Sequence, residues 1–153
     1  MRNLFSKKKK TDGEHRTLQL ITDKNMPFGY VEAYKSLRTN LNFMSGSMDV
    51  HTLVITSTVP EESKSNVAVN MAMSLAESGK KVALVDCDLR KPVLHRYLKA
   101  GHNIKGVSNV LSNQCTLDEA LKELPEFKMS FLPAGTPPPN PSEMLSQPQM
   151  QAM

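Results

Sequence analysis

Two stretches of the chain repeat apolar residues at the spacing of an amphipathic helix. The first predicts a helix over roughly Val31–Met44, with its apolar positions three and four residues apart. The second predicts a helix that begins at Ser65 and stops at Gly79, a residue suited to a helix C-terminus. The repeating positions in the two stretches are Tyr34, Leu37, Leu41 and Met44, and then Val67, Met71 and Leu75.

Three short apolar runs predict buried strands. They are rich in β-branched or aromatic residues and are continuous rather than alternating, which is typical of parallel strands covered on both faces. A strand, a helix and a strand in this order predict a right-handed crossover with parallel neighbours. Weaker patterns predict helices near Val107–Leu111 and Leu117–Leu124, and a short helix from Ser142. The three predicted strands are Leu53–Thr56, Val82–Val85 and Met129–Leu132.

Length, composition and charge narrow the class of protein. The chain has 153 residues, 39% hydrophobic and 22% charged, as expected of one soluble domain. No apolar run approaches the ~20 residues of a membrane span, so we expect a cytoplasmic protein. Of the 19 basic residues, five lie in residues 1–10, which leaves 14 against 15 acidic residues and a balance of −1 elsewhere. We therefore interpret 1–27 as a flexible basic tail and expect no nucleic-acid partner.

A loop between the first strand and the second helix has the layout of a phosphate-binding loop. The pattern G-x-x-x-x-G-K-S/T falls on Thr58–Ser65, where Lys64 and Ser65 fit and both glycine positions are filled by other residues. Lys64 is placed to reach the β- and γ-phosphates, and Ser65 to bind Mg²⁺. The alternative interpretation is a plain helix cap made by Ser-Lys-Ser.

Two carboxylates follow the second predicted strand directly. Asp86 and Asp88 come at its carboxyl end, where ligands bind in open α/β sheets. Alternation along an extended chain would send both to one side, where they could hold Mg²⁺ or accept a proton from a hydroxyl. Without the neighbouring loop, the same aspartates would be read as turn and cap residues.

Together these motifs resemble the bacterial tyrosine kinases of capsule and exopolysaccharide synthesis. The resemblance runs over about residues 29–147 and includes the proline-rich segment that begins at Pro133. It implies an α/β fold of three layers, a P-loop NTPase-type parallel sheet that is incomplete in this chain, with a partial kinase domain over 28–147. It also implies ATP and Mg²⁺ as cofactors, with Lys64, Asp86 and Asp88 catalytic and Ser65, Asp86 and Asp88 on the metal. The implied nucleotide-binding residues are Thr58, Pro60, Glu62, Ser63, Lys64, Ser65 and Asn66.

The resemblance further implies partners. The helix around Glu32, Lys35 and Arg38 resembles the Glu-x-x-Arg-x-x-Arg element associated with ring-shaped self-assembly, with Lys35 replacing the middle arginine. We therefore expect a homo-oligomer through these three residues. A membrane-anchored polysaccharide co-polymerase or activator protein is the expected partner, which would hold the protein at the inner face of the membrane.

Three departures from the family pattern leave alternatives open. Glycine usually stands where this chain has Glu61 and Ser63, a Walker B strand is missing, and so is the tyrosine-rich tail. We therefore expect a truncated chain, with 148–153 as its end, that has no tyrosine-kinase activity by itself. One alternative is a non-catalytic fragment that keeps oligomerisation and partner binding. The other is a partition- or septum-type P-loop ATPase, although the signature lysine of that class is replaced by Val59.

Overall fold

The computed structural model describes residues 18–45, 51–101 and 104–153. Most of the predicted basic tail, residues 1–17, lies outside the described residues. The described part folds into two long helices and several short ones around a small sheet, and the sheet order is β1-β3-β2. The helices are α1 (Phe28–Ser45), α2 (Lys64–Glu77), α3 (Leu94–Tyr97), α4 (Val107–Leu111), α5 (Leu117–Ala120), α6 (Pro141–Leu145) and α7 (Pro148–Ala152). The strands are β1 (Ala83–Val85), β2 (Lys122–Leu124) and β3 (Met129–Leu132), with a 3₁₀ turn at Pro125–Phe127.

Helices pack on both faces of the central strand β3. It pairs in parallel with β1, and Leu84 lies opposite Phe131. Phe131 points into a core with helix α2, whereas its neighbour Leu132 points into a second core with α4 and α6. Successive side chains of a strand point to opposite faces of the sheet, so the adjacent residues Phe131 and Leu132 contribute to the cores on the two faces. The α/β class and the parallel pairing of the second and third predicted strands are therefore confirmed.

The first predicted strand is not found in the sheet. Leu53–Thr56 has no strand pairing, and Leu53 and Val54 are 47% and 78% exposed. The predicted burial of the second strand on both faces is also wrong, because Ala83 and Val85 are exposed around a buried Leu84. The β-branched residues of Leu53–Thr56 favour an extended conformation, but a strand also needs a neighbouring strand to supply its hydrogen bonds. Leu53–Thr56 has no such neighbour in the sheet.

The helix predicted at Leu117–Leu124 is shorter than the pattern indicated. Helix α5 ends at Ala120, and Leu121 takes an extended conformation with φ −67° and ψ 134°. The chain then forms β2, which pairs antiparallel with β3 and makes the sheet mixed rather than wholly parallel. Pro125 follows at once, and the residue before a proline is disfavoured in a helix, so a helix through Leu124 was excluded locally.

The packed part of the chain begins earlier than the boundary predicted at residue 28. Ile21 is 7% exposed and belongs to the core of helix α2. Its backbone N–H donates to Oδ1 of Asn70 at 2.7 Å, and Nδ2 of Asn70 donates to the carbonyl of Gln19 at 2.7 Å. The hydroxyl of Tyr30 donates to the same carbonyl at 3.0 Å. These bonds fix residues 18–21 along the outside of α2.

Helix α1 runs from Phe28 to Ser45, close to the predicted span, and also packs on α2. Tyr34 is buried there, with its ring edge-on to Tyr30 at 5.3 Å between centroids. Within residues 18–45, 51–101 and 104–153, no helix is both long and apolar enough to cross a bilayer.

We predict that two leucines from the predicted strands differ sharply in their contribution to stability. Leu84→Ala should lower the free energy of unfolding of the 153-residue chain by about 2–5 kcal/mol, because it opens a cavity in the core. Leu53→Ala, the matched control, should cost less than about 1 kcal/mol, because Leu53 is half exposed. Urea denaturation measures both. Equal costs would show that Leu53–Thr56 is packed like a core strand.

Candidate phosphate-binding site

The loop before helix α2 adopts a backbone that normally requires glycine. Glu61 has φ 66° and Ser63 has φ 65°, both in the left-handed region. These are the two positions where the family pattern has glycine, so the backbone geometry is kept although the residue type is not. A non-glycine residue in this region costs roughly 1–2 kcal/mol. The loop therefore holds a conformation that its own side chains oppose.

The start of α2 leaves backbone donors turned towards this loop. The first helical hydrogen bond runs from the N–H of Val67 to the carbonyl of Ser63 at 3.0 Å. The amides of Lys64, Ser65 and Asn66 precede that bond, and Ser63 caps none of them with its side chain. Such amides, with the positive end of the helix dipole, favour an anion at the helix N-terminus. The arrangement suits a phosphate group.

The predicted loop residues fall into two groups by exposure. Thr58, Pro60, Glu62 and Ser63 are exposed, while Lys64 and Ser65 are partly buried where the helix starts. The Ser57 hydroxyl donates to the carbonyl of Val59 at 2.9 Å, a hydrogen bond within the loop itself. Glu61 and Glu62 place two carboxylates on the loop. These charges oppose a polyphosphate and would be partly offset by Lys64.

Asn66 has a structural contact that the sequence did not reveal. Its Oδ1 accepts from the N–H of Gln19 at 3.1 Å, and its Nδ2 donates to the Tyr30 hydroxyl at 2.8 Å. The side chain therefore ties the N-terminal segment and α1 to α2. Only its backbone N–H remains for the predicted phosphate contact.

Asp86 lies at the end of β1 and is almost fully buried. Its Oδ1 accepts from the N–H of Asp88 at 3.1 Å, and its own N–H donates to the carbonyl of Leu132 at 2.9 Å. Oδ2 is buried and accepts no hydrogen bond of ordinary geometry from the described residues. The pKa of the Asp86 carboxyl is raised from 3.8 to about 6, mainly by burial. The charge of the nearby Asp88 contributes to this rise, whereas hydrogen bonds from backbone N–H groups oppose it. A buried carboxylate oxygen without a partner is suited to a cation or a proton donor.

Asp88 has a different environment from the one alternation predicts. Strand β1 ends at Val85, so the chain turns after Asp86, and Asp88 is exposed. Its Oδ1 accepts from the N–H of Lys91 at 3.0 Å. In the described part of the chain, no hydrogen bond or ion pair joins Lys64 or Ser65 to either aspartate. The loop and the aspartates are therefore linked through the packing of α2 on the sheet.

The aspartates do not form a complete metal site by themselves. Among residues 18–45, 51–101 and 104–153, no group of three or more His, Cys, Asp or Glu side chains could hold a metal ion. Nucleotide sites typically hold Mg²⁺ with one or two carboxylates together with phosphate oxygens and waters. Ser65, Asp86 and the phosphates of a nucleotide are oxygen donors of this kind, so the residues present fit Mg²⁺ brought in by a nucleotide.

The fold and the loop define a P-loop type of nucleotide-binding domain, and comparison with known proteins agrees. Residues 53–133 match the CobQ/CobB/MinD/ParA nucleotide binding domain, and the chain belongs to that family.

The relatives within this fold are bacterial tyrosine kinases, which confirms the resemblance seen in the sequence. The chain is 38% identical over 122 residues to tyrosine-protein kinase YwqD of Bacillus subtilis, covering 80% of this chain and 51% of YwqD. Among solved structures, the BceF tyrosine kinase domain is 40% identical with a TM-score of 0.72, covering 80% of this chain and 48% of that domain. The kinase domain of the Escherichia coli tyrosine kinase ETK is 31% identical, also with a TM-score of 0.72, over 80% of this chain and 48% of that one. The chain therefore spans about half the length of these relatives.

We predict that Ser63→Gly stabilises the protein. Glycine removes the penalty of roughly 1–2 kcal/mol that a non-glycine residue has in the left-handed region. It also makes the unfolded chain more flexible, which lowers the stability by about 0.4–1 kcal/mol. The net gain in free energy of unfolding should be about 0.5–1 kcal/mol by urea denaturation. Ser63→Ala is the control, since alanine keeps the penalty and should bring no gain. A loss of stability in the glycine variant would show that Ser63 is not held at positive φ.

We predict a second stability effect that depends on pH. The pKa of Asp86 is raised to about 6 in the folded protein from its ordinary value of 3.8, so between these pH values the folded protein holds a proton that the unfolded chain releases. Stability should therefore fall as the pH rises from 4 to 7, by at most about 3 kcal/mol. Asp86→Asn should remove this fall and be more stable than the native chain at pH 7.

The exposed Asp88 provides the matched control for that experiment. Urea unfolding at pH 4 and pH 7 should show that Asp88→Asn keeps most of the fall of the native chain, because burial rather than the Asp88 charge is the main cause of the raised pKa of Asp86. If Asp86→Asn keeps the full pH dependence, then burial of Asp86 is not its source.

Proposed function

We propose that the chain binds the phosphates of ATP with Mg²⁺ through the loop Thr58–Asn66. The single observation that carries the proposal is the positive φ of Glu61 and Ser63 immediately before Lys64. Two left-handed non-glycine residues so close together oppose folding, whereas Lys99, Asn113 and Lys128 have positive φ singly, and clustered strain of this kind supports a ligand site. Lys64 then supplies positive charge where the β- and γ-phosphates lie.

We assign the metal to Ser65 and the aspartates. Ser65 would bind Mg²⁺ through its hydroxyl, and the Oδ2 atom of Asp86 would reach the ion directly or through water. A cation beside Asp86 would lower the pKa of that carboxyl and remove the penalty of its buried charge. Asp88 is exposed, and we propose that it contacts the outer side of the metal or accepts the proton of an attacking hydroxyl.

We propose, further, that the protein functions as an ATP-dependent protein-tyrosine kinase in capsular or exopolysaccharide synthesis and export. The support is the kinship with YwqD and with the BceF and ETK kinase domains. We place it on the cytoplasmic side of the membrane, held there by a membrane-anchored co-polymerase, as the family resemblance implies. The alternatives remain a non-catalytic oligomerising protein and an ATPase of the partition type, which binds nucleotide without making phosphotyrosine.

Calorimetry with Mg·ATP tests the nucleotide site. Lys64→Met keeps most of the side-chain length but removes the charge, so it should weaken binding at least about tenfold, the value of one charge-assisted contact of ~1.5–3 kcal/mol. Lys80→Met is the matched control at the other end of α2, and it should bind as the native chain does. Equal binding by the native chain and Lys64→Met would remove Lys64 from the site.

A phosphotyrosine immunoblot of a Walker B-containing extension of the chain separates the kinase from its alternatives, and the 153 residues alone should give no signal. The kinase proposal predicts phosphotyrosine that is present with native Lys64 and absent with Lys64→Met. Binding of ATP without phosphotyrosine in either form would favour the ATPase or the non-catalytic alternative.

We propose that self-association uses the exposed part of α1. Glu32 and Lys35 form an ion pair at 2.8 Å on that surface, whereas Arg38 donates to the backbone carbonyl and hydroxyl of Ser74 in the same chain. Arg38 therefore contributes by fixing α1 on α2, and Glu32 and Lys35 are the residues free to meet a second copy. Charge reversal at both, Glu32→Lys with Lys35→Glu, should preserve the internal pair but shift sedimentation towards monomer. Unchanged sedimentation would count against this surface.

A further inference from the structure

A cavity that shares no residue with the phosphate-binding loop lies between the segment before α1 and helix α3. It has a volume of about 360 Å³. Two leucines and a tyrosine give it apolar walls, and its other lining residues are polar. The lining residues are Leu18, Leu20, Thr22, Asp23, Tyr97 and Lys99. None of them is assigned above to ATP, to Mg²⁺ or to self-association.

Both walls of this cavity are fixed from behind. Ile21, in the first wall, is 7% exposed, and its N–H donates to Oδ1 of Asn70 on α2 at 2.7 Å. Leu98, between Tyr97 and Lys99 in the second wall, is 1% exposed and belongs to the same core. Since each wall is anchored by a buried residue, the cavity exists before a partner binds, and binding does not have to order it.

The cavity also carries one charge of each sign. Asp23 and Lys99 are exposed, and neither forms an ion pair with a described residue. Oδ1 of Asp23 accepts from the N–H of Asn25 at 3.1 Å, which holds the carboxylate in place. An apolar cavity with an acid and a base suits a partner that joins an apolar side chain to charges of both signs.

Helix α1 presents that combination on its outer side. Phe28, Glu32 and Lys35 are spaced at i, i+4 and i+7, so they form one stripe along the helix. Phe28 is 79% exposed, and nearly its whole ring is therefore available for burial. Glu32 and Lys35 are also solvent-accessible, and their charged atoms lie 2.8 Å apart. The stripe thus places an aromatic ring next to an acid and a base.

We propose that Phe28 of one copy of the chain inserts into this cavity of a second copy, with Glu32 facing Lys99 and Lys35 facing Asp23. The inference rests on the proposed self-association through α1 and names the surface that receives this helix. Every copy carries both the stripe and the cavity, so each can insert one ring and receive one. The inserted ring packs against Tyr97, and buried aromatic pairs of this kind dominate the energy of many interfaces.

Charge complementarity favours a second copy over a membrane as the occupant. The stripe and the cavity match in three features, because a ring meets an apolar cavity, an acid meets a base and a base meets an acid. An anionic lipid surface would attract Lys35 and Lys99 but repel Glu32 and Asp23, which are equal in number.

Sedimentation of the 153-residue chain over a range of concentrations tests the inserted ring. Phe28→Ala should weaken self-association by at least about tenfold, because truncation of a buried aromatic anchor is among the most costly changes in an interface. Met44→Ala is the matched control, since Met44 is 68% exposed on a different side of α1, and it should sediment as the native chain does. The unfolding midpoints of both variants should match that of the native chain, because both side chains are exposed.

Exchange of charges tests the receiving surface. Glu32→Lys and Lys99→Glu should each weaken self-association by at least about threefold, and both changes in one chain should restore it, because the pair forms again with reversed sign. A mixture of the Phe28→Ala chain, which keeps the cavity, with the Lys99→Glu chain, which keeps the ring, should associate more strongly than either chain alone.

Two results would overturn the proposal. Unchanged sedimentation of Phe28→Ala would leave the ring to a partner of another kind, and a double charge exchange that fails to restore association would remove Lys99 as the counterpart of Glu32. Dissociation by Glu32→Lys with Lys35→Glu, but not by Phe28→Ala, would keep self-association through α1 and reject the cavity. A native chain that sediments as a monomer up to the highest concentration would reject both.

Discussion

The rest of the structure depends on the burial of helix α2 against the paired strands β1 and β3. Val69, Met73 and Ala76 on this helix pack into the same core as Leu84 and Phe131. Because the apolar face is enclosed, the helix cannot shift along its axis without opening a cavity. Its first turn is therefore fixed in position relative to the carboxyl edge of the sheet. The loop before α2 must lead the chain into this fixed first turn. It does so with Glu61 and Ser63 in the left-handed conformation.

The same helix also organises the other side of the molecule. Asn66, Asn70 and Ser74 are spaced four residues apart, so they form one polar line along α2. Asn66 and Asn70 hold the segment before α1, and Ser74 receives Arg38 of α1. A single helix thus joins the candidate phosphate loop to the surface proposed for self-association.

The pattern of apolar residues was sufficient to predict the two long helices and the strand at Met129–Leu132. Each of these segments has apolar residues that only one type of secondary structure brings onto a buried face. It was insufficient for Leu53–Thr56, since a strand requires a partner and the sequence does not say which segment supplies it. It was also insufficient for β2, whose Lys-Glu-Leu sequence has no strand signature and depends on pairing with β3.

Candidate site residues could be proposed where a motif fixes spacing, as at Lys64, Ser65 and Asp86, and their roles stay predictions. The contacts of Asn66 with Tyr30 and Gln19 could not be anticipated, because they join residues 36 and 47 positions apart through side-chain amides and a hydroxyl. The cavity beside Tyr97 was missed for a related reason. Its lining comes from separate segments, and only the fold brings Leu20 and Tyr97 together.

The central claim is that the strained loop before α2 is a nucleotide-phosphate site, and amide NMR with Mg·ATP tests it most directly. The account predicts that the largest shifts fall on the amides of Glu61–Asn66, followed by Asp86, with little change along α1. Shifts confined to α1 or to the cavity beside Tyr97, with the loop amides unmoved, would contradict it.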